Sequence, residues 1–256
     1  MNDLKKTLLF SFGNQKGGVG KSTLTTLFGN YVHFTNHPKY EFVAVDGDDL
    51  QRTLFSFRCR DLEIRKQDFK TQQELNEFVW AKETEYGLYH IIQVPSKEFQ
   101  DSFFKEFDRN VHLMAIDLPG NLKQEGVMDA YVPVDVLFVP CNPNDIEIDS
   151  TLEFLKIYQE VDELRAEVGD KPAEKYLILS RIDRKLPFDM EKFKERFLEF
   201  PDLKLLENYF PYTPAAYGRD INTLLQFKKN GSDSESKKLF NEMFQIVEKK
   251  YAEINA

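Results

Sequence analysis

A glycine-rich stretch near the start of the chain restricts the possible folds more than any other feature of the sequence. Residues 12–23 read FGNQKGGVGKST and follow an apolar run, TLLFSF at 7–12. The stretch matches the phosphate-binding pattern G-x-x-x-x-G-K-[ST] except at its first glycine, where Gln15 stands and a second lysine, Lys16, follows. A turn of this kind joins a strand to a helix and directs backbone N–H groups at a phosphate. We therefore predict a nucleotide-binding loop between a first strand and a helix that begins near Ser22.

The residues of this loop have distinct predicted roles. Lys21 would offset the charge of the β- and γ-phosphates and take part in catalysis, and the hydroxyl of Ser22 would bind Mg²⁺. The predicted nucleotide contacts in the loop are Gly17, Gly18, Val19, Gly20, Lys21, Ser22 and Thr23. Residues 16–23 follow a predicted strand and precede a predicted helix, so a chance Gly-rich turn explains them poorly.

The remaining sequence alternates short apolar runs with amphipathic stretches. The runs at 7–12, 42–46, 89–95, 111–117, 135–141 and 175–180 predict strands, and 203–210 predicts a weaker one. Helical patterns include 99–107 and 151–168, and GSDSES at 231–236 resembles a linker between the last two helices. Strands that alternate with helices predict an α/β fold, a mostly parallel twisted sheet with helices on both faces. We expect one domain over 1–256 with three α/β/α layers.

Carboxylates follow two of the predicted strands. VAVDGDD at 43–49 ends in Asp46, Asp48 and Asp49, and HLMAIDLPGN at 112–121 contains Asp117 before a Pro-Gly turn. The carboxyl ends of parallel strands meet at the sheet edge where ligands bind. Mg²⁺ is usually held there by one or two carboxylates, phosphates and water. Asp46 and Asp117 are therefore candidate metal ligands, whereas we interpret Asp49 as a helix cap.

Charge and cysteine content narrow the class of protein. The net charge is −9, so any contact with nucleic acid must come from a local basic patch. Two cysteines, at 59 and 141, lie far apart without a C-x-x-C motif, which indicates a reducing compartment and a cytoplasmic location. No apolar run approaches the roughly 18 residues of a membrane span.

The motifs NQKGGVGKST and VDGDD together resemble the ParA/MinD family of deviant Walker-A ATPases, and the NQ prefix is closer to its ParA partition branch. The resemblance implies a P-loop NTPase fold and a homodimer that sandwiches two ATP molecules. It also implies a role for the extra lysine, because in that family this residue, here Lys16, reaches the partner's nucleotide. By the same resemblance Asp48 would orient the attacking water, Asp46 would lie near the metal, and Asp117 would hold Mg²⁺ through water.

The resemblance also implies which residues lie on the base side of the site, where the adenine ring would bind. Adenine contacts would fall on Ser180 and Arg181, after KYLILS, and on Pro211 and Tyr212 in FPYTPAA at 210–216. No N-K-x-D guanine motif is present, which favours ATP over GTP. The family's DxDPQ pattern is broken, because Asp49-Leu50-Gln51 stands in place of Pro-Gln, and 52–88 does not align with the family.

Three functions fit these motifs. The first is a weak ATPase of plasmid or chromosome partition, stimulated by a ParB-like protein, associated with the nucleoid and bound to non-specific DNA. Its candidate DNA contacts are Arg181, Arg184, Lys185, Arg219, Lys228 and Lys229. The second is a MinD-like membrane switch, which requires a basic amphipathic C-terminal helix. Residues 235–256 contain four lysines and four glutamates, so we expect that helix to dock on the core instead. The third is a nucleotide-dependent scaffold of a conjugation or secretion machine.

Overall fold

The computed structural model describes residues 6–36, 39–48, 52–66, 88–99, 111–167, 169–183, 185, 187–212 and 233–256. Within these ranges the strands are β1 Leu8–Phe12, β2 Phe42–Asp46, β3 His90–Gln93, β4 Leu113–Asp117, β5 Val136–Cys141, β6 Glu174–Ile182, β7 Leu203–Leu205 and β8 Phe210–Pro211. The α-helices are α1 Lys21–Asn36, α2 Thr53–Lys66, α3 Val127–Tyr131, α4 Asp145–Glu167, α5 Met190–Glu195 and α6 Asp233–Ile254. A short 3₁₀ helix covers Ser96–Glu98.

The strands form one sheet whose described pairings are all parallel. Its order is β3-β2-β4-β1-β5-β6-β7, and β8 pairs with β6 beside β7. The first strand, β1, lies between β4 and β5 near the middle of the sheet. The segments that follow β1, β2 and β4 therefore leave the sheet at the same edge, which brings the glycine loop close to both predicted aspartate motifs.

Both faces of the sheet are buried, and the side chains of each strand alternate between two cores. In β1, Leu8, Phe10 and Phe12 enter one core, whereas Leu9 enters the other. The first core also contains α1 and α6, and the second contains α3, α4 and α5. This arrangement is a three-layer α/β/α fold, as the continuous apolar strands predict.

Aromatic side chains fill much of the first core. Phe10 lies 5.4 Å from Phe28 in α1 and 6.3 Å from Phe138 in β5, measured between ring centroids. Phe28 in turn contacts Phe240 of α6 at 5.8 Å. The apolar stripe of α6 is buried here, and its members are Leu239, Phe240, Met243, Phe244, Val247 and Tyr251. The prediction that this helix docks on the core is therefore confirmed.

Three of the differences from the sequence prediction have an identifiable cause in the contacts of the chain. The predicted strand 203–210 is split into β7 and β8, because the backbone N–H groups of Glu207 and Asn208 turn away to donate to the Glu242 carboxylate at 2.8 and 3.0 Å. Helix α4 begins before 151, since the Asn144 side chain accepts from the backbone N–H of Glu147 at 3.0 Å and caps its first turn. The prediction of a linker at 231–236 is wrong from residue 233 onward, where α6 begins.

Residues 233–236 read DSES, a polar composition that is typical of a linker but also of the start of a helix. Asp, Ser and Glu are favoured in the first turn of a helix, where they meet free N–H groups and the positive end of the helix dipole. The predicted helix at 99–107 lies outside the described residues apart from its first position.

Candidate functional site

The glycine loop occupies the turn between β1 and α1, as predicted. Gly18 and Gly20 have φ angles of +77° and +99°, a left-handed backbone that other residues adopt only with strain. The loop is fixed at its start by the N–H of Gly13, which donates to the carbonyl of Phe138 at 2.8 Å. Helix α1 begins at Lys21, so the free N–H groups of its first turn and the positive end of its dipole point into the loop. This geometry is suited to the binding of an anion.

The loop forms one wall of a cavity of about 440 Å³. The other walls come from the segment after β2, the start of α2 and the segment after β4. The lining residues are Gln15, Gly17, Gly18, Gly20, Lys21, Ser22, Thr23, Asp48, Thr53, Phe57, Leu118, Pro119, Gly120, Asn121 and Gln124. The sequence motifs at 14–23, 43–49 and 112–121 thus meet around one space.

Two glycines allow these segments to approach closely. A Cβ at Gly120 would lie 2.5 Å from the carbonyl oxygen of Gln15 and 2.9 Å from that of Asn14. A Cβ at Gly47 would lie 3.1 Å from the carbonyl oxygen of Asp117, to which the N–H of Gly47 donates at 2.8 Å. The three segments are therefore in direct backbone contact, and side chains at these two positions would separate them.

Lys21 carries the positive charge of the cavity. Burial lowers its pKa, and the nearby Asp117 and Asp48 carboxylates act in the opposite direction. Its ammonium group lies 3.5 Å from the carbonyl oxygen of Lys16. A partly desolvated ammonium beside free helix N–H groups is suited to contact phosphate oxygens.

Asp46 and Asp117 are adjacent, since they form a register pair at the ends of β2 and β4. Both are buried, with 3% and 1% of their surface exposed. One Asp46 oxygen accepts from the N–H of Phe55 at 3.0 Å. The other Asp46 oxygen and both Asp117 oxygens have no hydrogen-bond partner of normal geometry among the described residues. Buried carboxylate oxygens without partners are unfavourable unless a cation or a proton reaches them.

The electrostatics of this pair favour the binding of a cation or a proton. Burial raises the pKa of Asp117 to about 7; the Asp46 and Asp48 charges add to the increase, whereas Ser22 and Lys21 oppose it. Burial also raises the pKa of Asp46. Mg²⁺ prefers oxygen ligands, so the free oxygens of Asp46 and Asp117 and the Ser22 hydroxyl fit this ion. Among the described residues no group of three or more His, Cys, Asp or Glu side chains is placed to hold a metal ion.

Lys16 and Asp48 occupy different positions relative to the cavity. Asp48 lines it, two residues beyond the end of β2. The lining includes both neighbours of Lys16, Gln15 and Gly17, but not Lys16 itself. The N–H of Lys16 donates to the Asn14 side chain at 3.0 Å.

The structure brings the two predicted base-side segments together. Strand β8 pairs with the end of β6, so Ser180 is the register partner of Phe210, and the N–H of Tyr212 donates to the Ile182 carbonyl at 2.9 Å. The Tyr212 side chain is 53% exposed. Ser180 is completely buried and its hydroxyl donates to the Val19 carbonyl at 3.3 Å, which joins the base side to the phosphate loop.

Several residues around the site were not predicted from the sequence. Asn14 is fully buried and supports the loop, and Asn121 and Gln124 line the cavity. In the sequence, Asn121 could have been recognised as a site residue from its position directly after the Pro-Gly turn that follows Asp117. Glu147 and Thr151, which contact site residues from α4, carry no motif at all.

The predicted DNA contacts are mostly untested by the structure. Arg184, Arg219, Lys228 and Lys229 lie outside the described residues. Lys185 is exposed, and the Arg181 guanidinium forms an ion pair with Glu147. No helix in the described parts of the chain is long and apolar enough to cross a membrane.

Solved structures with this fold include three that resemble the chain over most of its length. MinD from the Aquifex aeolicus MinC:MinD cell division complex has a TM-score of 0.65 at 16% identity, covering 94% of this chain and 96% of that one. A protein assigned to plasmid partition from Borrelia burgdorferi B31, bound to AMPPNP, has a TM-score of 0.60 at 15% identity over 94% and 100%. The septum site-determining protein MinD from Pyrococcus horikoshii OT3, complexed with Mg-ADP, has a TM-score of 0.60 at 17% identity over 95% and 98%.

These comparisons confirm the fold that the sequence resemblance implies. The chain has the same three-layer α/β/α architecture as the MinD and plasmid partition proteins. No protein-family model matches the sequence, and no curated protein does.

Proposed function

We propose that this protein is a ParA/MinD-type ATPase in which ATP binding drives dimerisation. One arrangement carries the proposal: Lys21, Ser22 and Asp48 line the cavity, and Asp46 and Asp117, whose buried carboxylates have oxygens without a partner among the described residues, end the two strands that lead into it. The second lysine of the loop, Lys16, is not part of the lining. The cavity thus has groups for a triphosphate and a divalent cation. The position of Lys16 beside the cavity is consistent with the role at a partner's nucleotide that the family resemblance implies. Solved structures of the same fold contain AMPPNP and Mg-ADP, which agrees with a nucleotide ligand.

Different residues of the chain would bind the phosphates, hold the metal ion and orient the water during hydrolysis. The loop N–H groups and Lys21 would bind the phosphates and offset their charge. Ser22, Asp46 and Asp117 would hold Mg²⁺, which supplies further charge neutralisation at the phosphates. Asp48 would accept a hydrogen bond from a water molecule and aim it at the γ-phosphorus. The water oxygen would bond to that phosphorus as the bond from the phosphorus to the leaving oxygen of ADP breaks, a water proton would pass to a phosphate oxygen or to solvent, and ADP and phosphate would leave.

The proposed role of Lys16 links chemistry to assembly. Reaching from one subunit to the ATP of the other, its ammonium would offset charge on the transferring phosphoryl group, as an arginine finger does. Two ATP molecules that face each other repel, so each needs a cation from the opposite subunit. Dimerisation would then depend on the γ-phosphate, and hydrolysis would end it.

Of the predicted alternatives, partition through a ParB-like partner and non-specific DNA fits the chain best. The MinD-like alternative needs an amphipathic C-terminal helix free to bind lipid, but the apolar stripe of α6 is buried in the core.

The test measures the oligomeric state of the protein and its binding to DNA and to lipid. We expect the protein to run as a monomer with ADP and as a dimer with ATP and Mg²⁺ on a sizing column, and the ATP form alone to retard non-specific DNA. Anionic liposomes serve as the parallel ligand. Liposome binding without DNA binding would favour the membrane alternative, and a dimer that binds neither would favour the scaffold. A protein that binds no adenine nucleotide would overturn the proposal.

A further inference from the structure

A chain of buried hydrogen bonds leads from Lys16 to helix α4. The Asn14 side chain accepts from the N–H of Lys16 at 3.0 Å and donates to Thr151 Oγ1 at 2.8 Å and to the Pro140 carbonyl at 2.9 Å. The Thr151 hydroxyl donates to the carbonyl of Glu147, one turn earlier, at 2.6 Å. Asn14 and Thr151 are completely buried, so water does not compete for the bonds that their side chains donate, whereas the bond from the N–H of Lys16 is partly buried.

The carboxylate of Glu147 continues the chain toward the base side. It forms an ion pair with the Arg181 guanidinium, and its second oxygen accepts from the N–H of Asn142 at 3.4 Å. The Asn142 side chain donates to the carbonyls of Ser180 and Arg181 at 3.1 and 3.0 Å. Glu147 is only 7% exposed, which strengthens its attraction to the guanidinium.

Arg181 has a backbone conformation that needs this support. Its φ angle is +56°, in the left-handed region that is unfavourable for a residue with a long side chain. Strained backbone of this kind persists where surrounding contacts enforce it, and it is concentrated at functional sites. Here Asn142 fixes the carbonyl groups and Glu147 fixes the side chain.

We propose that Glu147 is a positioning residue that ties the base side of the nucleotide site to the backbone of Lys16. The inference rests on the proposed nucleotide-binding function and adds to it. Through its carboxylate Glu147 orients Arg181, and through its helical turn and Thr151 it holds Asn14 and the N–H of Lys16. Recognition of the base at Arg181 thereby depends on the Glu147 carboxylate, and the position of Lys16 depends on the backbone of the same helical turn through Thr151 and Asn14.

The first experiment separates positioning from general structural support. Glu147→Gln keeps the size of the side chain but removes the charge that orients Arg181, so ATP binding by the Mg²⁺-loaded protein should weaken about tenfold, as expected for coupled neighbours. Inorganic triphosphate has no base, so its affinity should not change. Glu160→Gln, an exposed glutamate on the same helix, is the matched control and should alter neither affinity. Calorimetry measures the affinities of both variants for ATP and for triphosphate, and the wild-type protein is the reference.

A double-mutant cycle tests whether Glu147 acts through Arg181. Arg181→Ala should cause the same loss of ATP affinity as Glu147→Gln, and the double variant should be no weaker than either single one. Arg181 is partly exposed, so its variant remains informative if Glu147→Gln unfolds.

The other arm of the chain is tested at Thr151. Thr151→Val removes the hydroxyl next to Asn14 at nearly constant volume, and should raise the protein concentration needed for ATP-dependent dimerisation while leaving ATP affinity of the monomer unchanged. Thr151→Ser retains the hydroxyl and should restore dimerisation.

The outcomes distinguish this inference from the proposed function. If wild-type protein binds ATP but Glu147→Gln and Arg181→Ala lose triphosphate and ATP affinity equally, or lose neither, the positioning role is wrong and the ATPase proposal stands. Additive losses in the double variant would also overturn the inference. Failure of the wild-type protein to bind adenine nucleotides would overturn both.

Discussion

At the residue scale, the electrostatics of the site centre on Asp117, which is buried next to a second buried carboxylate. In the folded protein without ligands, burial raises its pKa to about 7, so the group holds a proton over much of the acidic range. A bound cation would replace that proton. The apo protein and the loaded protein should therefore respond to pH in opposite ways.

This property predicts how the stability of the apo protein changes with pH. Asp117 ionises near 3.8 when unfolded but near 7 when folded, so between these values the unfolded chain binds fewer protons. The free energy of unfolding should fall as pH rises through this range, by up to about 1.4 kcal/mol per pH unit for one proton. Asp117→Asn removes the titration. Urea unfolding in EDTA at pH 5 to 8 should show wild type losing stability relative to the variant, and parallel curves would contradict the assigned shift.

Lys21 gives the second prediction at this scale. Lys21→Ala removes the charge closest to the phosphates, and a hydrogen bond to a charged group contributes about 1.5–3 kcal/mol, so ATP should bind roughly 10- to 150-fold more weakly. Lys171→Ala, an exposed lysine before β6 at the opposite edge of the sheet, is the control and should bind normally. Unchanged ATP affinity for Lys21→Ala in calorimetry would remove the basis for the phosphate-loop assignment.

At the scale of elements, the site depends on how closely three loops approach. Gly120→Ala would place a methyl group 2.5 Å from the Gln15 carbonyl, a backbone atom that moves only with its loop. We expect a loss of about 1–3 kcal/mol in stability and a melting temperature lower by several degrees. Gly17→Ala, whose Cβ would meet nothing within 4 Å, should melt like wild type in the absence of nucleotide. Equal melting temperatures for both variants would show that the loops adjust freely.

The strands and loops also show which parts of the structure could be predicted from the sequence. Strand β2 was predicted to the residue, because an apolar run ending in aspartates depends only on local pattern. The break between β7 and β8 was missed, since the bond from Asn208 to Glu242 joins residues 34 positions apart. In the site, the loop and the aspartates follow from motifs. Gly120 beside Gln15 and Glu147 beside Arg181 do not, because each is created by chain segments that meet only in the folded sheet.

At the scale of the whole molecule, the proposed switch requires two copies of the chain. Lys16 lies outside the lining of the cavity that contains Asp48 and Lys21. If its ammonium serves the other subunit, each complete site takes Asp48 from one chain and Lys16 from its partner. Single variants then disable both sites of a homodimer, whereas a mixed dimer contains one site with both groups.

Mixing two inactive variants therefore tests the sandwich directly. Lys16→Ala should bind ATP almost as well as wild type, because Lys21 and the loop amides remain, but should lose dimerisation and hydrolysis together. Asp48→Ala should bind ATP and accumulate as a dimer that hydrolyses slowly, because only the orientation of water is lost. In an equimolar mixture, up to about half of the dimers would be mixed if subunits pair at random, and each would contain one intact site. ATPase activity should rise well above that of either parent. If differently tagged subunits are shown to pair but activity does not recover, Lys16 acts within its own chain, and ATP-dependent dimerisation needs another source of charge between the two nucleotides.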